Sequence, residues 1–221
     1  MSTRKDKFNQ RDRFYMNLAL NLARERVGLT GENPSVGCVI VKNDELISIG
    51  QTGINGRPHA EHNAIKSSKF NLKGSKLYVS MEPCTHYGKT PPCTNLIIKS
   101  KIKEVVFSVE DVDKRTQAKS FKVLKKKKIS VKSGLLKRQS NLIYKSYKYN
   151  KNKKLPYVTG KLAISKDNFI YSKNQKKITN NYSDNITQLL RYKNDSILIS
   201  SRTLNIDNPK LNCRINGLIR F

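Results

Sequence analysis

The sequence predicts an α/β protein of three layers, with helices covering both faces of a sheet. Three observations carry that expectation. Short apolar runs rich in β-branched residues alternate with runs of helical period over the first 150 residues. A hairpin signal opens the series. Glycine, proline and asparagine punctuate its members.

The elements follow in order. Phe14 to Val27 sets Phe14, Leu18, Leu22 and nearby alanines on one helical stripe, which Gly28 and Gly31 end. Val36 to Val41 reads as a strand, and Asn43-Asp44 turns it into Leu46 to Ile49. A helix begins near Ala60, with Ala64 and Ile65 on its apolar side. Lys76 to Ser80 is the next strand, Cys93 to Lys101 a helix entered through Pro91-Pro92, and Glu104 to Val109 a strand. A helix over Phe121 to Lys128, a strand at Ile129 to Val131 and a helical stretch from Leu135 to Asn150 complete this unit. Lys151 to Lys154 reads as a polar linker. A second unit then opens with strand Tyr157 to Ser165, helix Ser183 to Lys193 and strand Ser196 to Ser200, so the expected domains are 1–150 and 151–221.

Composition narrows the setting. No run approaches the roughly 18 apolar residues of a membrane span, and Met1 to Arg13 is charged and lacks the apolar core of a secretion signal. Four cysteines in 221 residues, two of them suited to a metal, fit a reducing cytoplasm better than a disulfide framework. Cys38 lies in an apolar strand and reads as core, while Cys213 has no evident partner. The formal net charge of +28 raises the question of nucleic acid. The lysines are spread along the chain, and the one dense cluster, Lys125 to Lys128, ends a helix, where cations suit the dipole. No basic stripe interleaved with aromatics is present, so nucleic acid is not the expected partner, and no membrane is expected either.

Chemistry concentrates between His59 and Cys93. Pro58-His59-Ala60-Glu61 and Glu82-Pro83-Cys84 to Pro91-Pro92-Cys93 offer one imidazole and two thiols. Three protein ligands leave a zinc ion an open position for water, whose pKa the ion brings toward neutrality. Glu61 is placed to shuttle the proton that ionisation releases. Residues two apart on a helix point about 200° from each other, so His59 and Glu61 meet one water only if the metal lies off a helix N-terminus. Cys93 at another helix start would gain acidity from the dipole. The pattern is close to the His-x-Glu and Pro-Cys-x-x-Cys signature of zinc nucleobase deaminases, except that eight residues separate the two cysteines.

With Asn33-Pro34-Ser35-Val36-Gly37, Pro58 to Glu61 and Glu82 to Cys93, the chain resembles the bifunctional riboflavin-biosynthesis deaminase/reductase family, in which the long inter-cysteine loop is distinctive. The resemblance implies a cytidine-deaminase-like α/β/α domain followed by the start of a dihydrofolate-reductase-like domain. It implies Zn2+ held by His59, Cys84 and Cys93, Glu61 as the catalytic acid and base, and Asn33, His86, Lys89 and Asp113 as substrate contacts. The substrate would be a phosphoribosylated diaminohydroxypyrimidine, with Lys89 meeting its phosphate, and the assembly a homo-oligomer. In the second unit Ser165-Lys166-Asp167, Arg191, Thr203, Asp207-Asn208-Pro209, Leu211 and Arg214 echo the reductase. There the resemblance makes Ala163, Thr203 and Asp207 contacts of NADPH, and Arg191, Leu211 and Arg214 contacts of substrate. The chain departs from the family at Thr52, where many members carry histidine, and at Asp111-Val112-Asp113, where Asp-Pro-Asn is usual. It departs again at Asn168, which replaces glycine, and at Lys177, which replaces tryptophan. His62 reads as an ordinary, partly exposed helix residue.

Two rival functions stand beside deamination of that pyrimidine. A tRNA or nucleoside deaminase on the same fold is disfavoured by the cysteine spacing. A basic nucleic-acid-binding module with structural zinc is disfavoured by the open coordination position beside Glu61. Beyond residue 155 the sequence offers two strands, one helix and a loop, too little apolar area for a closed core. The expectation is a piece of a longer protein that deaminates but neither binds NADPH tightly nor reduces the ribose.

Overall fold

The computed structural model describes residues 7–170 and 178–218; residues 1–6 of the charged N-terminal stretch, and Lys177, lie outside them. The chain divides into two compact units, Met1–Tyr157 and Val158–Phe221.

The first unit begins with α1, Gln10–Glu25, started by a reciprocal box in which Asn9 accepts from the Asp12 N–H and Asp12 accepts from the Asn9 N–H. The hairpin β1, Gly37–Lys42, and β2, Glu45–Gln51, turns through Asn43 and Asp44, both at positive φ (50° and 63°), the conformation a tight two-residue hairpin needs. Then come α2, Ala60–Ser67; β3, Lys76–Met81; α3, Cys93–Lys99; β4, Glu104–Val109; α4, Lys119–Lys126; and β5, Ser130–Ser133. The helical stretch after β5 is two helices, α5, Lys137–Ile143, and α6, Lys145–Lys153, hinged at Tyr144. α6 takes in Lys151 to Lys153, so the expected polar linker is the last turn of a helix. The lysine cluster ends α4 because Lys128 turns left-handed at φ 60° and the Ile129 N–H returns to the Leu124 carbonyl.

The strands form one mixed sheet in the order β2-β1-β3-β4-β5, antiparallel at β2-β1 and β1-β3 and parallel at β3-β4 and β4-β5. Alternation along the strands builds two cores. Cys38, Ile40, Leu77, Val79, Val105 and Phe107 meet Ala60, Ala64, Ile97 and Leu124 on one face. Val39, Val41, Tyr78 and Val106 meet Tyr15, Met16, Ala19 and Leu20 on the other. α2, α3 and α4 thus cover one face and α1 with α5 the other, and Cys38 is core as expected. Two glycines permit close approach of a helix to the sheet. A Cβ on Gly50 would lie 2.2 Å from the Ala60 carbonyl oxygen, and one on Gly37 would lie 2.0 Å from that of Ala19. Only glycine therefore lets α2 settle on β2 and α1 on β1.

In the second unit α7, Asn181–Lys193, is capped by the Asn180 side chain and α8, Ser201–Asp207, by Ser200. α8 stands where the sequence suggested loop. The runs Tyr157 to Ser165 and Ser196 to Ser200 form no ladder among the described residues, against the expectation of strands. β-Branched residues favour extended backbone, but a strand exists only with a hydrogen-bonding neighbour, and neither run has one among the described residues. Asn168 sits at φ 68°, a conformation that explains why glycine suits this place and why asparagine is tolerated.

Candidate metal centre and active site

The site forms at the C-terminal end of β3, where two helix N-termini converge. His59 is the N-cap of α2 and Cys93 the first residue of α3, with Pro92 before it. Cys84 follows β3 by three residues. The His59 Nδ1 lies 3.6 Å from the Cys84 Sγ and 3.4 Å from the Cys93 Sγ, and the three ligand atoms all fall within 4.8 Å of one another. Zinc with bonds of about 2.3 Å to sulfur and 2.0–2.1 Å to nitrogen sets tetrahedral N and S ligands about 3.5 Å apart. The donor set therefore fits zinc in both chemistry and spacing.

The electrostatics are those of a site built for a cation. The Cys84 thiol is held down to about 4, first by the hydrogen bond from the Cys93 thiol and then by His59 and the Cys93 backbone N–H, 3.2 Å away. Cys93, donor to that thiolate, is pushed up, and His59 is raised by its bond to Cys84. Glu61, 4% exposed, follows His59 into the first turn of α2. Burial, with the Cys84 charge behind it, pushes its carboxyl up to about 7, and its side chain bonds that of Cys93. The sequence-predicted catalytic residue and the three ligand candidates are thus brought together.

The substrate candidates stand around this centre. The Asn33 amide donates to the Gly56 carbonyl at 3.2 Å, in the turn just before His59. His86 meets the buried Thr116 hydroxyl through Nδ1 at 3.1 Å. Lys89 is exposed on the inter-cysteine loop. Asp113 is committed to Arg115, whose guanidinium reaches both carboxylate oxygens (Nε to Oδ1 3.0 Å, the terminal nitrogen to Oδ2 2.6 Å), and that pairing holds its carboxyl well below the usual range. Thr52, in the family's histidine position, ties β2 to the Asn33 loop by accepting from the Val36 N–H at 2.9 Å. His62 is half-buried in α2.

Spacing and residue type assign Glu82 no role, yet it anchors the loop that carries Cys84. Its carboxylate accepts from the Ser120 N–H (3.0 Å), the Ser120 hydroxyl (2.8 Å), the Ala118 N–H (3.1 Å) and the Asp111 N–H (3.3 Å). Burial raises its pKa, and these four donors hold the ionised form against that rise. The visible signal was an acidic residue directly after an apolar strand.

In the second unit Arg191 and Arg214 both donate to the Lys210 carbonyl at 3.0 Å, with Leu211 adjacent in sequence. The Thr203 N–H and hydroxyl are engaged by Ser200 at the start of α8, and Asp207 ends that helix. Ala163 is half-buried in the extended run. NADPH requires a walled cleft, but none of the described residues from Val158 onward is buried. The described residues from Val158 onward do not by themselves wall such a cleft.

Residues 9–109 match the cytidine and deoxycytidylate deaminase zinc-binding region. The chain is 39% identical over 211 residues to the riboflavin biosynthesis protein RibD of Bacillus amyloliquefaciens, covering 95% of this chain and 57% of that protein. It therefore spans a little over half the length of such relatives. A solved diaminohydroxyphosphoribosylaminopyrimidine deaminase/5-amino-6-(5-phosphoribosylamino)uracil reductase from Thermotoga maritima superposes with a TM-score of 0.87 at 32% identity, covering 94% of this chain and 60% of that one. The fold is accordingly cytidine-deaminase-like in the first unit, and the likeness runs on into the second. The diaminohydroxyphosphoribosylamino-pyrimidine deaminase of Buchnera aphidicola is 43% identical over 141 residues, which are 64% of this chain and 92% of that protein. On that match the chain belongs to the diaminohydroxyphosphoribosylamino-pyrimidine deaminase family.

Proposed function

We propose that the first unit is a zinc-dependent aminohydrolase acting on a phosphoribosylated diaminohydroxypyrimidine in riboflavin biosynthesis. The carrying observation is the His59, Cys84 and Cys93 cluster with the buried Glu61 carboxyl against it. These three side chains would hold zinc, which when bound supplies a Lewis acid able to acidify water at neutral pH. Glu61 takes the proton of the attacking water and passes it to the departing amine. Water adds at the amino-bearing ring carbon, the carbon–nitrogen bond breaks, and ammonia leaves. Asn33 and His86 orient the ring from opposite chain segments, and Lys89 meets the phosphate.

Asp113, locked to Arg115, contributes through the turn it stabilises. The Thr116 N–H bonds its carbonyl at 2.8 Å, and the Thr116 hydroxyl in turn holds His86. The test is ammonia release from the phosphoribosylated pyrimidine, cytidine and tRNA side by side, with zinc content measured in the same preparation. Turnover confined to the first substrate, at one zinc per chain, is the expected result. Preferred turnover of tRNA would overturn the reading.

A further inference from the structure

The cis-linked Arg57-Pro58 pair directly precedes His59. The Arg57 guanidinium donates to the Thr90 hydroxyl at 2.9 Å, and a Cβ placed on Gly88 would lie 3.6 Å from its other terminal nitrogen. It therefore lies along Gly88 to Thr90, the part of the inter-cysteine loop that holds Lys89. Surface lysines are abundant in a chain of net charge +28 and mean little singly. Arg57 differs in being half-buried and fixed in place.

A guanidinium has five N–H donors in a planar fork matched to phosphate oxygens, and the bond to Thr90 uses one of them. Among the described residues neither Arg57 nor Lys89 has a carboxylate within ion-pair distance. Two cations with no carboxylate partner among the described residues thus stand on the two chain segments that deliver metal-ligand candidates.

We propose that Arg57 is a specificity-determining residue that binds the phosphate monoester of the substrate together with Lys89, with Thr90 holding the guanidinium in place. This rests on the deaminase reading above. Recognition is then divided between a fixed fork and a flexible ammonium. The fork sets the orientation of the phosphate relative to His59, and the ammonium adds charge.

The test compares kcat/KM for the phosphorylated pyrimidine with that for its dephosphorylated form in the full chain, for the native protein, Arg57→Met, Arg57→Lys and Thr90→Val. Arg57→Met should reduce the ratio of the two by about 10- to 100-fold, the effect of losing a charge-assisted hydrogen bond. Arg57→Lys should restore part of it, and Thr90→Val, which keeps the cation, should hold the ratio within about threefold of native. If Arg57 only braces the loop, Arg57→Met and Thr90→Val will lower both substrates together and leave the ratio unchanged, which overturns the proposal while native turnover of the phosphorylated substrate preserves the functional reading. Absence of that native turnover would overturn both.

Discussion

Replacing Glu82 tests whether the metal site depends on a carboxylate that is itself no ligand. Four donors converge on it, two at each oxygen. In Glu82→Gln the amide nitrogen must take one of the two places. At the Oε2 position it would oppose the Ala118 and Asp111 N–H groups, losing two bonds. At the Oε1 position it opposes only the Ser120 N–H, because the Ser120 hydroxyl can rotate and accept. The second arrangement wins, leaving one buried N–H unsatisfied at about 1–3 kcal/mol. Loss of charge assistance in the remaining bonds brings the total to about 2–4 kcal/mol. Glu82→Ala strands all four donors and should cost about 4 kcal/mol or more. Urea unfolding of the zinc-loaded chain measures both. A chelator competition should show zinc affinity falling about 10- to 100-fold, the scale carried by groups that orient ligands. If Glu82→Ala shifts stability by less than about 1 kcal/mol, the clamp is not a structural determinant and the reasoning fails.

Three further outcomes follow from other parts of the molecule. Glu61→Gln should retain one zinc per chain, by elemental analysis, yet lose most turnover, because an amide cannot accept the proton of water; near-native activity would remove Glu61 from the mechanism. Burial pushes the Asp12 carboxyl up, but bonds from Lys76 (2.6 Å), Tyr78 (2.7 Å) and the Asn9 N–H outweigh it and leave the pKa lowered from 3.8. A lowered folded-state pKa gives stability that is full above the unfolded value and lost as pH falls through the folded one, so the gap in urea midpoint between the native chain and Asp12→Asn should narrow below about pH 4 and not above it. In hydrogen exchange, the amides of α7 should exchange much faster than those of β1 and β3, because no described residue from Val158 onward is buried whereas the first unit holds two packed cores; equal protection would show that the second unit has a core of its own.

How far the sequence could be read depended on how local each feature is. The hairpin was legible because Asn43-Asp44 must supply two positive φ values between apolar runs. β4 was legible to the residue, as Glu104–Val109 is continuous, apolar and flanked by lysines and acids. The two runs of the second unit are also rich in apolar residues, yet they form no ladder among the described residues. Pairing is a property of two segments, and a single run cannot show whether its neighbour is present. The break at Tyr144 was missed for a similar reason. Its ring is fully buried and its hydroxyl meets the Ser80 hydroxyl at 2.5 Å, so a contact 64 residues away fixes the hinge.

The metal cluster was readable because its geometry follows from where helices start. A histidine at an N-cap and a cysteine at a first helical position need only a proline and an apolar stripe behind them, and these occupy neighbouring positions in the chain. The groups that hold this geometry were not readable, since each acts across the fold. Glu82 reaches Ser120 at a separation of 38 residues and His86 reaches Thr116 at 30. Both contacts tie the segment around Cys84 to the stretch after β4. The ligand side chains determine which ion can bind, while these cross-links determine whether the ligands stand about 3.5 Å apart without it. Variants of the cross-links should therefore lose zinc affinity while every ligand remains in place.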